Sequence, residues 1–269
     1  MLVELAVGDA YAEGFEFLDR GRWQGQNDLP SYVQNPEHGL SPEQYSDDTQ
    51  MSLGIAELLL GGKDWTPLNI ASKFVEVFKR DPRDGYARGF QKFLEEIASG
   101  EEFLRRIIPS SVRNGAAMRA APIGYIPDID VVKSYSKTQA EITHKTPEGI
   151  ESAIATSLMS HYFIYELGKK SELRDYLIRE LKGDWLNHWD GKVRCRGYDA
   201  VCASLSLIEN QDSLSKILIE SVELEGDTDT TASMSLAIGS CSTEIKRDLP
   251  QNLIKNLESG KWGREYLEE

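Results

Sequence analysis

Apolar residues recur along this chain at intervals of three and four, and that period holds almost from end to end. Leu2, Leu5 and Ala6 open a short helix, and Gly8 and Gly14 allow close packing or a break after it. Between 20 and 44 the pattern lapses. Gly21, Gly25, Asn27, Pro30, Asn35, Pro36, Gly39 and Pro42 predict a long irregular loop, of the kind that is usually functional or mobile. Periodicity returns with Met51, Leu53, Ile55, Leu58 and Leu59, a helix that should end at Gly61-Gly62.

Thr66-Pro67, a capping residue followed by proline, starts the next helix, whose apolar face is Ile70, Phe74, Val77 and Phe78. Phe90, Phe93, Leu94 and Ile97 predict a helix over 84–98, and the small-residue run Ser110 to Pro122 lets backbone approach a ligand or a neighbour. Further helices are expected near 128–137, over 147–166, and around Leu173, Tyr176, Leu177 and Leu181. After a Trp- and Gly-containing connection between Gly183 and Arg196, the stripes Val201/Leu205/Ile208, Leu214/Ile217/Leu218 and Met234/Leu236/Ala237/Ile238 complete the pattern. No strand-turn-strand pattern, internal repeat or low-complexity tract interrupts it. The expectation is an all-α chain forming a single domain over 1–269.

Charge narrows the partners. Lys+Arg total 30 against Asp+Glu 44, a formal net charge of -14, which argues against tracking a nucleic-acid backbone or an anionic membrane surface. A small anionic ligand stays compatible if metal ions or local arginines reverse the field at one site. Cys195, Cys202 and Cys241 are odd in number and widely spaced, so neither a disulfide framework nor a zinc pair follows, and a reducing cytoplasm fits. The acidic opening Met1 to Asp9 does not read as a signal peptide, and no apolar run approaches transmembrane length.

The candidate chemistry begins at Ser46-Asp47-Asp48-Thr49. Capping of a helix accounts for one acid there easily and for two less comfortably, because packed oxygen ligands repel unless a cation sits among them. Asp227, Asp229 and Thr230 form a second carboxylate-and-hydroxyl cluster, again at an expected helix start. Facing each other in a bundle, the clusters could hold two divalent ions, and all-oxygen ligands favour Mg²⁺ or Mn²⁺. An EF-hand loop counted from Asp227 would need Gly and Glu where Ala232 and Ile238 stand. The Asp-x-Asp-x-Thr phrase of haloacid-dehalogenase-like phosphatases should follow a buried strand near the start of an α/β domain; here it comes late, after Val222 to Gly226.

Taken together, Gly8-Asp9-Ala10 with Glu16, Ser46-Asp47-Asp48-Thr49, Asn114-Gly115-Ala116-Ala117-Met118-Arg119, Thr143-His144 and Gly226-Asp227-Thr228-Asp229-Thr230 resemble, in order, the motifs of the ADP-ribosylglycohydrolase family. The resemblance implies an orthogonal α-helical bundle with a binuclear metal cleft. It implies that Ser46, Asp47, Asp48, Asp227, Asp229 and Thr230 ligate two Mg²⁺ ions (or Mn²⁺), and that Glu16 lies beside them as a catalytic carboxylate. Asp47 or Asp48 could take the proton instead, if one is not committed to metal. Ser111, Asn114, Gly115, Met118 and His144 are then expected to line an ADP-ribose pocket, and Arg119 either neutralises a diphosphate or pairs with an acid. His38, His161 and His188 show no ligand spacing and are read as structural.

Departures from the family pattern are Ser46 for Thr, Tyr11-Ala12 for Leu-Gly, and Gly239-Ser240-Cys241-Ser242 where more glycines are usual. The expected activity is metal-dependent hydrolysis that frees ADP-ribose from a modified protein side chain or related conjugate, in a monomer that needs neither nucleic acid nor membrane. Two rivals stand beside it: an inactive ADP-ribose-binding or crystallin-like structural protein on the same fold, and a two-metal phosphatase or nucleotide hydrolase.

Overall fold

The structure, a computed structural model, describes residues 1–269 and is helical throughout, with β-pairing confined to isolated bridges. In chain order the helices are α1 (Leu2–Glu13), α2 (Arg20–Trp23), α3 (Asp47–Leu60), α4 (Pro67–Arg80), α5 (Arg88–Glu96), α6 (Gly100–Arg106), α7 (Gly115–Met118), α8 (Ile129–Glu141), α9 (Pro147–Ile164), α10 (Leu173–Leu181), α11 (Gly197–Asn210), α12 (Leu214–Glu223), α13 (Thr228–Gly239), α14 (Gln251–Asn256) and α15 (Arg264–Glu268). The all-α expectation therefore holds. One hydrophobic cluster of 56 buried residues runs from Ala6 to Leu267 and includes side chains from both halves of the chain.

Expected helices differ from the observed ones mainly at their ends, and α6, α14 and α15 were not among those expected. The helix expected over 84–98 is shorter, because Asp81 to Ala87 form an irregular turn, and it is followed by α6. That second helix is capped by Ser99, whose hydroxyl accepts from the Glu102 N–H at 3.2 Å, a serine-to-glutamate signal the periodicity alone did not expose. The 20–44 loop contains the single turn α2, and the small-residue run contains α7 and a 3₁₀ turn, Ala121–Tyr125. Thr66 caps α4 ahead of Pro67, as expected, and Thr146 caps α9 ahead of Pro147 in the same way.

The centre of the fold is the pair α1 and α13, the most extensive helix contact in the molecule. Every residue of α13 from Thr228 to Gly239 is buried, so its small and hydroxyl side chains face neighbours on all sides. Gly8 makes the close approach possible: a Cβ there would lie 2.7 Å from the Ala232 carbonyl oxygen. The Thr228 hydroxyl donates to the Ala12 carbonyl at 2.7 Å, which fixes the start of α13 beside the end of α1. Consequently Glu13–Phe17 and Asp227–Thr230 occupy the same end of the bundle.

Candidate metal centre and cleft

Helix α3 reaches that end by an unusual cap. The Asp9 carboxylate, from α1, accepts from the Ser46 N–H at 3.0 Å, the Thr49 N–H at 2.9 Å and the Thr49 hydroxyl at 2.5 Å. Ser46 adds only a long 3.3 Å acceptance from the Asp48 N–H. Because Asp9 satisfies the orphan donors of this helix start, the Asp47 and Asp48 carboxylates are free to face the cleft. Gly85 closes over Asp47 with φ +111°, and a Cβ at that position would sit 2.7 Å from Asp47 Oδ1.

The two acidic helix starts meet. Asp48 accepts from the Ser233 hydroxyl at 2.9 Å and from the Thr230 hydroxyl at 3.3 Å, a contact spanning 182 positions of sequence. Carboxylate oxygens of Glu16, Asp227 and Asp229 lie within 4.8 Å of one another. Asp229 Oδ1 is buried and has no hydrogen-bond partner. At that spacing each ionised pair repels by about 3 kcal/mol at an effective dielectric of about 20. Three such pairs come to about 10 kcal/mol, comparable with the whole stability of a domain, so these groups cannot all be ionised without a cation or a proton.

The titration behaviour agrees. Burial first, and then the Asp227 charge, holds Glu16 well above the ordinary carboxylate range. Burial, then Asp9, pushes Asp47 up to about 8. Asp48 and Asp229 are raised for the same leading reason, reinforced by Asp47 and by Glu16 respectively. No lysine, arginine or histidine forms an ion pair with Asp47, Asp48, Asp227 or Asp229. An orphaned buried carboxylate oxygen and a dense all-oxygen donor set fit a hard divalent cation.

The cluster forms the floor of a cleft of about 1050 Å³, whose walls include Phe17, Tyr86, Ser111, Asn114, Gly115, Met118, His144 and Cys195. Short backbone pairings lock the walls together. Ser111 N–H donates to the Thr143 carbonyl at 3.4 Å, Asn114 N–H to Cys195 at 3.1 Å, and Asp227 N–H to Val193 at 3.0 Å. Gly226, at φ +89°, allows the last of these, since a Cβ would overlap the Val193 carbonyl.

Each sequence-derived site residue thus has a definite place. Asp47, Asp48, Asp227, Asp229 and Thr230 are buried in the floor with Glu16 at its edge, whereas Ser46, also buried, turns its hydroxyl to the Asp48 N–H and does not line the cleft. Asn114 lines the cleft and also donates to Asp227 Oδ2 at 3.1 Å, so it orients a floor carboxylate. His144 is 7% exposed and faces the Gly115 backbone, where a Cβ would come within 3.1 Å of its Cε1. Its Nδ1 lies 2.6 Å from the Thr143 hydroxyl, which itself accepts from Arg119 Nη2 at 2.9 Å. Donation of the Thr143 hydroxyl proton to Nδ1 would leave Nε2 as the protonated nitrogen of the neutral ring. Burial and Arg119 hold the ring neutral by pushing its pKa down to about 3.

Arg119 forms no ion pair with an acid. It is 1% exposed, donates from Nε to Gln139 Oε1 at 2.7 Å and from Nη2 to Thr143 at 2.9 Å, and stacks over Phe74 at 4.4 Å. Those two nitrogens support the wall behind His144, and the side chain also borders the cleft. Several supporting roles in the site were not read from sequence, although Asp9 stands in the Gly8-Asp9-Ala10 motif. Asp9 caps α3 from another helix, Ser233 bonds Asp48, and the Cys195 thiol, pushed up to about 12 by burial and by Asp227, lines the cleft. His38, read as structural, lies 2.8 Å from Glu13 and 3.2 Å from Glu16 through Nδ1.

The protein is thus an all-α helical bundle with a carboxylate- and hydroxyl-lined floor under a cleft. Residues 1–269 match the family model described as ADP-ribosylglycohydrolase. The chain belongs to that family, whose named members are hydrolases acting on glycosidic bonds. It is 24% identical over 265 residues to ADP-ribosyl-[dinitrogen reductase] glycohydrolase of Rhodospirillum rubrum, covering 94% of this chain and 87% of that protein. ADP-ribosylhydrolase ARH3 of Gallus gallus is 32% identical over 147 residues, but that match covers 51% of this chain and 40% of the relative. ADP-ribosylarginine hydrolase Tri1 of Serratia proteamaculans is 24% identical, with 86% and 67% covered. Among solved structures, an ADP-ribosylglycohydrolase-related protein complex superposes with a TM-score of 0.73 at 20% identity, over 99% of this chain and 92% of that one, which shows the shared fold.

Proposed function

We propose that this protein hydrolyses the glycosidic bond between ADP-ribose and a modified protein side chain or related conjugate. The observation that carries the reading is the meeting of the two acidic helix starts, with Asp48 bonded to Thr230 and Ser233 and Glu16 at the edge of the same floor. Ser46, Asp47, Asp48, Asp227, Asp229 and Thr230 would hold two Mg²⁺ or Mn²⁺ ions, which when bound supply positive charge that keeps the carboxylates ionised and stabilises oxygens of the ribose.

The chain's own groups account for the rest. Water oxygen bonds to ribose C1″ as the bond from C1″ to the acceptor breaks, through an oxocarbenium-like state. The electron pair of the broken bond leaves with the acceptor nitrogen or oxygen. Glu16 takes the water proton and returns it to that leaving atom. His144, held as the Nε2–H tautomer by Thr143, offers a neutral donor from the wall, and Asn114 keeps Asp227 oriented toward the floor.

Three unpaired cysteines and the absence of any helix long and apolar enough to cross a membrane are compatible with a monomer working in a reducing cytoplasm, which belongs to the same proposal. The test is titration calorimetry with Mg²⁺ and ADP-ribose, followed by turnover of ADP-ribosyl-arginine and ADP-ribosyl-serine peptides. Release of ADP-ribose from either peptide supports the reading. Tight ADP-ribose binding with no turnover on both peptides points instead to the binding protein on this fold, and phosphate release with an intact glycosidic bond points to a phosphatase.

A further inference from the structure

The loop between α2 and α3 brings a histidine to the edge of the floor, and local sequence explains how. Gly14 lacks a Cβ that would otherwise stand 2.4 Å from the Val33 carbonyl, so the loop runs directly against the end of α1. Asn35, fully buried, then donates its Nδ2 protons to the Glu13 and Glu16 carbonyls at 2.8 and 3.1 Å, and its Oδ1 accepts from Glu37 N–H at 3.0 Å. These bonds fix His38 three residues farther on. The ring Nδ1 sits 2.8 Å from Glu13 Oε1 and 3.2 Å from Glu16 Oε2. Glu13 is buried and its carboxylate touches no other cation, whereas the Glu16 carboxylate accepts from no other side chain.

We propose that His38 is a positioning residue for the reaction: anchored by the Nδ1 hydrogen bond to Glu13, its ring sits in contact with one oxygen of Glu16 and keeps that carboxylate turned toward the Asp227–Asp229 floor. This rests on Glu16 as the proton-transfer group. The backbone around Glu16 is already fixed, because Phe17 N–H donates to the Gly226 carbonyl at 2.8 Å with Phe17 at φ +53°. What the backbone leaves undetermined is the rotation of a side chain with several torsions, and contact with a rigid, anchored ring removes that freedom. The Nδ1 hydrogen bond goes to Glu13, so the longer contact to Glu16 acts through charge and packing.

The experiment compares His38→Ala, His38→Asn and Glu16→Gln with the wild-type chain in the presence of Mg²⁺. It measures kcat and KM on the ADP-ribosyl peptide that the wild type turns over, ADP-ribose affinity, and thermal melting. Asn places an N–H donor where Nδ1 stands. The proposal expects His38→Ala to lower kcat by about 10- to 100-fold, with KM and ADP-ribose affinity little changed, and His38→Asn to recover much of that loss. Full kcat in His38→Ala, with Glu16→Gln inactive, overturns the positioning role alone. Equal losses in the Ala and Asn variants accompanied by a lower melting temperature assign His38 a structural role and also overturn it. Wild-type turnover by Glu16→Gln counts against Glu16 itself, a separate failure.

Discussion

Replacing Asp229 by Asn tests the charge argument at its centre. Asp229 shares the floor with Glu16 and Asp227 at separations within 4.8 Å, and one of its oxygens is buried without a partner. Each ionised pair at that distance repels by about 3 kcal/mol, part of which the metal-free protein relieves by retaining protons. The amide removes the charge at nearly the same volume. In a chelator at about pH 8, Asp229→Asn should therefore be more stable than wild type by about 1–3 kcal/mol, contrary to the destabilising trend of most substitutions. Mg²⁺ at roughly a hundred times its dissociation constant should stabilise the wild type by about 3 kcal/mol, or about 5–10 °C in melting temperature. The variant should gain much less. Urea unfolding and thermal melting followed by circular dichroism, each with chelator and with Mg²⁺, make the comparison. A variant no more stable than wild type without metal, yet stabilised by Mg²⁺ to the same extent, would refute the reasoning.

The same carboxyls set a pH dependence. Asp47 has a folded pKa of about 8 against an ordinary 3.8, so the native state binds more protons than the unfolded chain between those values. Metal-free stability should thus fall as pH rises through that window, and Mg²⁺ should flatten the fall; a metal-free stability that rises with pH there contradicts the burial argument. Asp9→Ala leaves the buried Ser46 and Thr49 N–H groups without an acceptor, at about 1–3 kcal/mol each, so its melting temperature should drop by roughly 5–15 °C, checked by calorimetry. Thr143→Val removes the hydroxyl between Arg119 and His144, and ADP-ribose affinity measured by titration calorimetry should weaken about 3- to 10-fold.

What the sequence determined by itself was the class of the fold and the chemical character of the floor. A 3.6-residue period survives because each helix must bury a stripe, whatever its neighbour turns out to be. Likewise, two helix starts overloaded with oxygen ligands stand out because neither needs so many acids for capping. The ends of helices were less legible: Ser99 starts α6 through a local cap within a region whose apolar spacing ran smoothly on. Tertiary structure alone decided which groups support the floor. Asp9 caps a helix 37 positions away, His38 reaches Glu16 across a loop, and Arg119 turns inward to Gln139 and Thr143. Those partnerships are set by where helices cross and by glycines such as Gly8 and Gly14 that let backbones touch. Sequence spacing carries no record of such crossings, because hydrogen-bond partners are chosen by distance in space.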